Sequence, residues 1–270
     1  MYNKSIHFLL PIKKEAVSLI IRKQQNSFIF IEQDQHARIS ESMIKHWNKA
    51  YLPQSPYHDS AIYAIQQHDV GWRPFDEEPF WNDQSQAPYN FTDFPTPAKT
   101  VLYTAGIEKV ASADLYAGLL CSLHYTRFLE KDTSYYSKQF VDQERRRQQR
   151  IISSLKQFDE ETLAIHLDLL QLCDNLSLFI CLNKPGENTH PFFKNGIPLS
   201  AKLKGFTNQL LETTWQDKQT IQLSQLPFSS ATTFTYPYKQ VTKTAIYEQG
   251  LISTYTQAPI KEIAVTFVQG

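Results

Sequence analysis

Apolar positions along this chain recur with two different periods. Near the start, Val17 to Lys23 and Ser27 to Glu32 are rich in Val, Ile and Phe, with Gln24-Gln25-Asn26 between them. β-Branched and aromatic side chains fit a pleated surface, so the pair predicts a hairpin with Asn26 in its turn. From Asp34 the period becomes helical. His36, Ile39, Ser40, Met43 and Trp47 share one stripe, which predicts a helix to about Asn48 with Asp34 as its N-cap. After Pro53 and Pro56, a second helix is expected from about Asp59 to Asp69. Its small and apolar positions, Ala61, Ile62, Ala64 and Ile65, lead on to His68 and Asp69. Gly71 suits the left-handed backbone that often ends a helix.

Residues 72 to 100 interrupt the periodicity with five Pro (74, 79, 88, 95, 97) and the aromatics Trp72, Phe75, Phe80, Trp81, Tyr89, Phe91 and Phe94. A loop of that length is uncommon unless it is functional or a linker, and the aromatics argue for an ordered lid or rim. Helical spacing returns from about Ile107 to Lys131, with Leu120, His124 and Phe128 in line. It continues from Tyr136 to Phe158, where Glu144 and Arg147 occupy the middle of an apolar stripe. The segment from Asp159 to Leu182 is apolar nearly all round and so predicts a buried helix, with Asp174 in its middle. Strand-like runs follow at Thr220–Leu223, Thr232–Tyr236 and Glu262–Val268. The expected fold is mainly α: a helical bundle over about 34–182, with a small β portion built from the N-terminal hairpin (17–32) and C-terminal strands (215–270), all in one domain spanning 1–270.

Composition narrows the function. Lys+Arg and Asp+Glu are both 27, and this zero formal charge argues against broad attraction to nucleic acid. Cys121, Cys173 and Cys181 lie in apolar helical stretches without zinc-ribbon spacing, as buried thiols in a reducing compartment would. Lys4 precedes an apolar run that Lys13, Lys14 and Glu15 interrupt, unlike a signal peptide, and no stretch approaches the roughly 20 apolar residues of a membrane span. A cytoplasmic location is expected, with no membrane partner and a homo-oligomer left open.

Candidate chemistry sits on the inward stripes. A carboxylate on a buried helix costs several kcal/mol unless paired or metal-bound, and Asp174 has few cations near it in its own helix. His36, His68, Asp69, His124 and Asp174, drawn from separate helices, could grip one divalent ion in a bundle core. Imidazole suits zinc, iron, manganese or nickel; carboxylate suits harder ions such as magnesium. Such an ion lowers the pKa of a bound water. Asp69 could also orient that water or bridge to a second metal, and His124 could ligate the second metal or serve as an acid toward a leaving oxygen. Arg147, with Arg145 and Arg146, reads as a solvated helix face or, for Arg147, as a fork for a substrate phosphate. Asp76 is either a group behind the ligands or a surface loop residue. His166 reads as structural.

The order His36, then His68-Asp69, then Asp174 resembles the HD superfamily of metal-dependent phosphohydrolases, with His124 in the place of an extra intervening His. The wording Gln33-Asp34-Gln35-His36, His68-Asp69-Val70-Gly71-Trp72, Ser122-Leu123-His124 and Asp174-Asn175-Leu176-Ser177-Leu178-Phe179 resembles more closely a bacterial family of unknown function, over roughly residues 17 to 250. The first resemblance implies a helical fold and metal-dependent hydrolysis of a phosphoester or nucleotide, a small phosphorylated substrate. A di-iron oxygenase on the same scaffold and a non-catalytic ligand-binding protein are the alternatives.

Overall fold

The computed structural model describes residues 19–270. The charges Lys4, Lys13, Lys14 and Glu15, and Val17 and Ser18 of the first expected strand, lie outside the described residues. The hairpin forms as β1 (Ile20–Lys23) and β2 (Ser27–Ile31), with Ile21 opposite Phe30. Then come α1 (Gln33–Lys45), α2 (His58–Gln67) and a short α3 (Arg73–Asp76). The aromatic-rich stretch is ordered, as expected, and carries a two-strand ribbon of β3 (Trp81–Asn82) and β4 (Ala87–Pro88). Four long helices follow: α4 (Thr96–Ala113), α5 (Leu115–Leu129), α6 (Tyr135–Ser154) and α7 (Glu160–Leu182). Next are a small ribbon of β5 (Ile197–Pro198) and β6 (Leu210–Leu211), then β7 (Thr213–Trp215), β8 (Thr220–Leu223) and β9 (Thr232–Thr242). Helices α8 (Lys243–Gln249) and α9 (Leu251–Gln257) precede the last strand, β10 (Ile260–Gln269).

The expectation of a mainly α bundle is overturned. The chain is 50% helix and 19% strand, and its strands form a six-stranded sheet in the order β1-β2-β9-β10-β8-β7, so the fold is mixed α/β. The strands of the two ends were expected to share a small β portion; its size, strand order and pairing were not foreseen. β2 pairs antiparallel with β9, Phe28 opposite Val241, and β10 pairs antiparallel with β9 and parallel with β8. An isolated hairpin is marginal in water, and this pairing gives each end a partner. Helices α8 and α9, between the last two strands, were not anticipated.

The sheet explains the two kinds of strand pattern. On β9, Phe234 and Tyr236 are buried while Thr233 and Thr235 are exposed, as a one-sided strand requires. In β1 and β2 almost every residue is buried. Ile20, Ile29 and Ile31 face the helices. Leu19, Ile21, Phe28 and Phe30 face a second apolar cluster with Val241, Leu251 and Tyr255. Both faces are covered, so these strands read as continuous apolar runs.

Helices α1 and α7 rest on the sheet. Tyr236 donates from its hydroxyl to the Ile180 carbonyl at 3.1 Å, and the Arg22 guanidinium to the Asn183 carbonyl at 2.7 Å. By length and composition α7 could cross a membrane, contrary to expectation, yet 67% of its most apolar window is buried inside the molecule. Helices α2 and α5 pack against α1 and α7, with α4 and α6 beyond α5.

Three local expectations change for physical reasons. The helix expected from Ile107 to Lys131 breaks at Asp114, whose extended backbone (φ −150°) lets its carboxylate cap α5 by accepting from the Ala117 amide at 2.9 Å. Asp34 is not the N-cap of α1. It lies inside the helix and pairs with Arg38 at 2.8 Å and Arg73 at 2.6 Å. Nor does Gly71 have a left-handed backbone; it lies in a single 3-10 turn, Val70–Trp72, pressed against α4. A Cβ there would stand 2.4 Å from the Leu102 carbonyl oxygen. Gly71→Ala is therefore expected to cost about 1–3 kcal/mol, since overpacking must push backbone against backbone. Thermal denaturation beside the wild type measures it, and an unchanged midpoint would show that α4 yields freely.

Candidate metal centre

The five candidate ligands come from four helices. His36 lies in the first turn of α1, and His68-Asp69 follow the last turn of α2. His124 is on α5 and Asp174 at mid-length of α7. All five are buried, from 1% exposed (His36, His68) to 6% (Asp69). The fold brings together every residue that the sequence nominated as a metal ligand.

His36 and His68 each stand close to the other and to both carboxylates. His36 Nε2 is 3.0 Å from Asp174 Oδ1, 3.6 Å from Asp69 Oδ2 and 3.3 Å from His68 Nε2. His68 Nε2 is 3.7 Å from both Asp69 Oδ2 and Asp174 Oδ1. Ligand bonds of about 2.1 Å place neighbouring ligand atoms about 3.0 to 3.4 Å apart. These separations lie near that range, so the donor set fits a cation with little adjustment. His124 stands to one side, with its Nε2 3.7 Å from the other carboxylate oxygen, Asp174 Oδ2. Two overlapping triads, His36/His68/Asp69 and His68/His124/Asp174, could each hold a metal ion, and they share His68. An imidazole nitrogen has one lone pair, so the shared His68 favours one ion over two.

The hydrogen bonds behind these groups fix which atoms face inward. His68 Nδ1 donates to the Ile65 carbonyl at 2.7 Å. Ser177 donates from Oγ to the Asp174 carbonyl at 2.9 Å, leaving that oxygen free to accept from His36 Nδ1 at 2.7 Å. Both rings then aim Nε2 lone pairs at the common point, as metal-binding histidines do. Tyr125 donates to Asp69 Oδ1 at 2.7 Å and leaves Oδ2 for the site. His124 differs, because its buried Nδ1 has no hydrogen-bond partner among the described residues.

Two lone pairs 3.3 Å apart repel unless something positive lies between them. Without a metal, that is a proton. Burial pulls the His68 pKa down, but Asp69 and Asp174 outweigh it and push the value up to about 9. Burial also opposes the charge on Asp174, yet the imidazoles of His36 and His68 beside it hold its pKa well below the ordinary value. Burial lowers the His124 pKa well below its usual range, so that ring is neutral. The raised His68 value has a defined sign. Its contribution to the stability of the metal-free chain is complete below about pH 6.5 and disappears as pH rises through about 9. Metal must displace the same proton. Apparent manganese affinity is therefore expected to rise by up to tenfold per pH unit from pH 7 and level off near 9. Calorimetric titration at three pH values measures it, and affinity that is flat from pH 7 upward would contradict the bridging proton.

Arg147 does not join the site. Its guanidinium is held by Glu144 at 3.0 Å and Glu108 at 3.1 Å. Glu144 accepts from Ser122 of α5 at 2.8 Å. Two helical residues separate side-chain directions by about 200°, so Ser122 and this network lie across α5 from His124. The fork expected for a substrate phosphate is thus already engaged by two carboxylates, away from the His/Asp cluster. His166 accepts or donates at Nδ1 to the Tyr116 hydroxyl at 2.8 Å, which fits a structural residue.

Asp76 is a residue whose role sequence reasoning left open. It is buried, and its two oxygens accept from the Gln33 and Asp34 amides, both at 2.9 Å. It thereby caps the helix that carries His36, a task the N-cap residue Glu32 does not perform. Tyr125 and Ser177 were also missed as supports. Their signal was proximity: Tyr125 follows His124, and Ser177 lies one turn after Asp174.

No curated protein and no solved structure matches the chain. One sequence family does, described as a protein of unknown function (DUF3891), over residues 19–243. Nothing in this match supports membership of the HD superfamily. The matched span runs from the edge of β1 through every residue of the His/Asp cluster to the end of β9, and the chain belongs to this family.

Proposed function

We propose that the chain is a metal-dependent hydrolase acting on a phosphoester of a small molecule, a nucleotide among the candidates. The observation that carries this reading is the convergence of two oriented imidazole nitrogens and two carboxylate oxygens, all buried, at ligand-to-ligand distances. The ligand order His36, His68-Asp69, Asp174 resembles that of HD phosphohydrolases and supplies the reaction class. His36, His68, Asp69 and Asp174 would hold one divalent ion. Such an ion supplies Lewis acidity, polarising an ester oxygen and lowering the pKa of water.

The chain's own groups handle orientation and protons. Tyr125 and Ser177 fix Asp69 and His36, so the ligands need not reorganise. His124, neutral and free at Nδ1, can carry its proton on either nitrogen. Its Nε2 accepts the proton that water loses as the new O–P bond forms. The same proton then goes to the leaving oxygen as the ester P–O bond breaks, so the ring ends as it began.

The test compares metal-stripped protein with protein reloaded with manganese, iron, nickel, zinc or magnesium, by metal analysis and phosphate release from p-nitrophenyl phosphate, its diester and nucleotides. About one ion per chain with metal-dependent release is expected. One ion without cleavage would favour a ligand-binding protein. Two spectroscopically coupled irons would favour an oxygenase, and no uptake of any metal would end the reading.

A further inference from the structure

From the buried His/Asp cluster, α5 leads to exposed positions beside α7. One turn beyond His124 on α5 is Arg127, and one turn before Asp174 on α7 is Gln171. The Arg127 guanidinium donates to the Gln171 side-chain oxygen. A turn advances about 5 Å, so this pair forms the next layer above the approach of His124 to Asp174. His124 is buried, whereas Arg127 and Phe128 are exposed. Phe128 stands edge-on to the His124 ring at 4.8 Å, and the Arg127 guanidinium lies over Phe128 at 5.1 Å. These three side chains therefore separate the cluster from solvent on this side.

We infer that Arg127 is the residue that binds the anionic group of the substrate at the mouth of the site. The inference rests on the metal-hydrolase reading above. Arg127 makes no ion pair within 4 Å among the described residues, unlike Arg147, and its hydrogen-bond acceptor is a neutral amide. Burial lowers the pKa of the Arg127 guanidinium from its ordinary value, with the charges of Asp174 and Asp168 acting in the opposite direction. A guanidinium with uncommitted N–H groups can take two oxygens of a phosphate at once. The Phe128 ring beneath the guanidinium and the hydrogen bond to Gln171 restrict where it can move, so less ordering is needed on binding. The substrate class is thereby narrowed to one with an anionic oxygen cluster that reaches Arg127 while another of its oxygens meets the metal.

Inorganic phosphate is the probe, titrated calorimetrically into manganese-loaded protein. Arg127→Ala is expected to weaken phosphate binding at least tenfold with manganese stoichiometry unchanged. Arg127→Lys, which keeps the charge and loses the fork, should fall between it and the wild type. Arg147→Ala should match the wild type. Equal phosphate affinity in wild type and Arg127→Ala, or no phosphate binding by manganese-loaded wild type, overturns the inference and leaves the metal reading standing. Failure of the wild type to take up manganese or any other divalent ion overturns that reading, and the inference with it.

Discussion

Replacing His68 with alanine is expected to reduce bound metal from about one ion per chain to background. His68 is common to both triads of ligand atoms, and its Nε2 lies within 3.7 Å of His36, Asp69 and Asp174 alike. Its loss also leaves two carboxylates in a buried site with one fewer partner. Breaking a buried pair by deleting one member costs about 3–5 kcal/mol, so lower thermal stability is expected as well. Asp174→Asn separates the two effects. The amide has nearly the same volume, so packing survives while the charge that attracts a cation is gone. Metal analysis and circular dichroism on both variants check the prediction. Full metal content in a folded His68→Ala protein would remove the cluster from consideration as a metal site.

The second large effect is expected at a residue that touches no ligand. Asp76→Ala should lower stability by about 2–4 kcal/mol, because two helix-terminal amides in a buried place lose their acceptors together. For a chain of this size that corresponds to roughly 5–10 °C in Tm. The loss should also reach the site. His36 lies three residues from Gln33, in the same turn, and an unravelled start of α1 would let its ring turn from Asp174. Metal affinity should therefore fall in Asp76→Ala, and less in Asp76→Asn, which keeps one acceptor oxygen. Thermal melts with and without manganese measure both effects. A Tm unchanged in Asp76→Ala would mean that water satisfies the two amides.

Helical periodicity was enough to place His36, His124 and Asp174 on inward faces, because the 3.6-residue period reports burial directly. The cost of burying a carboxylate turned Asp174 from a core position into a candidate ligand. The doublet His68-Asp69 was legible from its place at the end of an apolar helix. Arg147 shows where that reasoning stops. The stripe it shares with Glu144 does face inward, but toward α5 on the side away from His124, and no periodicity on α6 could reveal which neighbour it meets. Arg127 drew no attention for the converse reason. On α5 it looks like any exposed arginine, and it gains meaning only from Gln171 and Asp174 on another helix.

A small β portion built from both ends of the chain was likewise expected, but the order and pairing of a six-stranded sheet were not. Pairing between Ser27–Phe30 and Lys239–Thr242 joins segments more than 200 residues apart, and such contacts leave no mark in local sequence. The sequence by itself determined the hairpin, most of the long helices and the kinds of side chain turned inward, because each follows from period and residue type. Only the tertiary structure decided that the fold is mixed α/β, that Asp76 caps α1 from 42 to 43 residues away, and that four helices bring His36, His68, Asp69, His124 and Asp174 into one cluster. Those are relations between elements, set by how faces pack against one another.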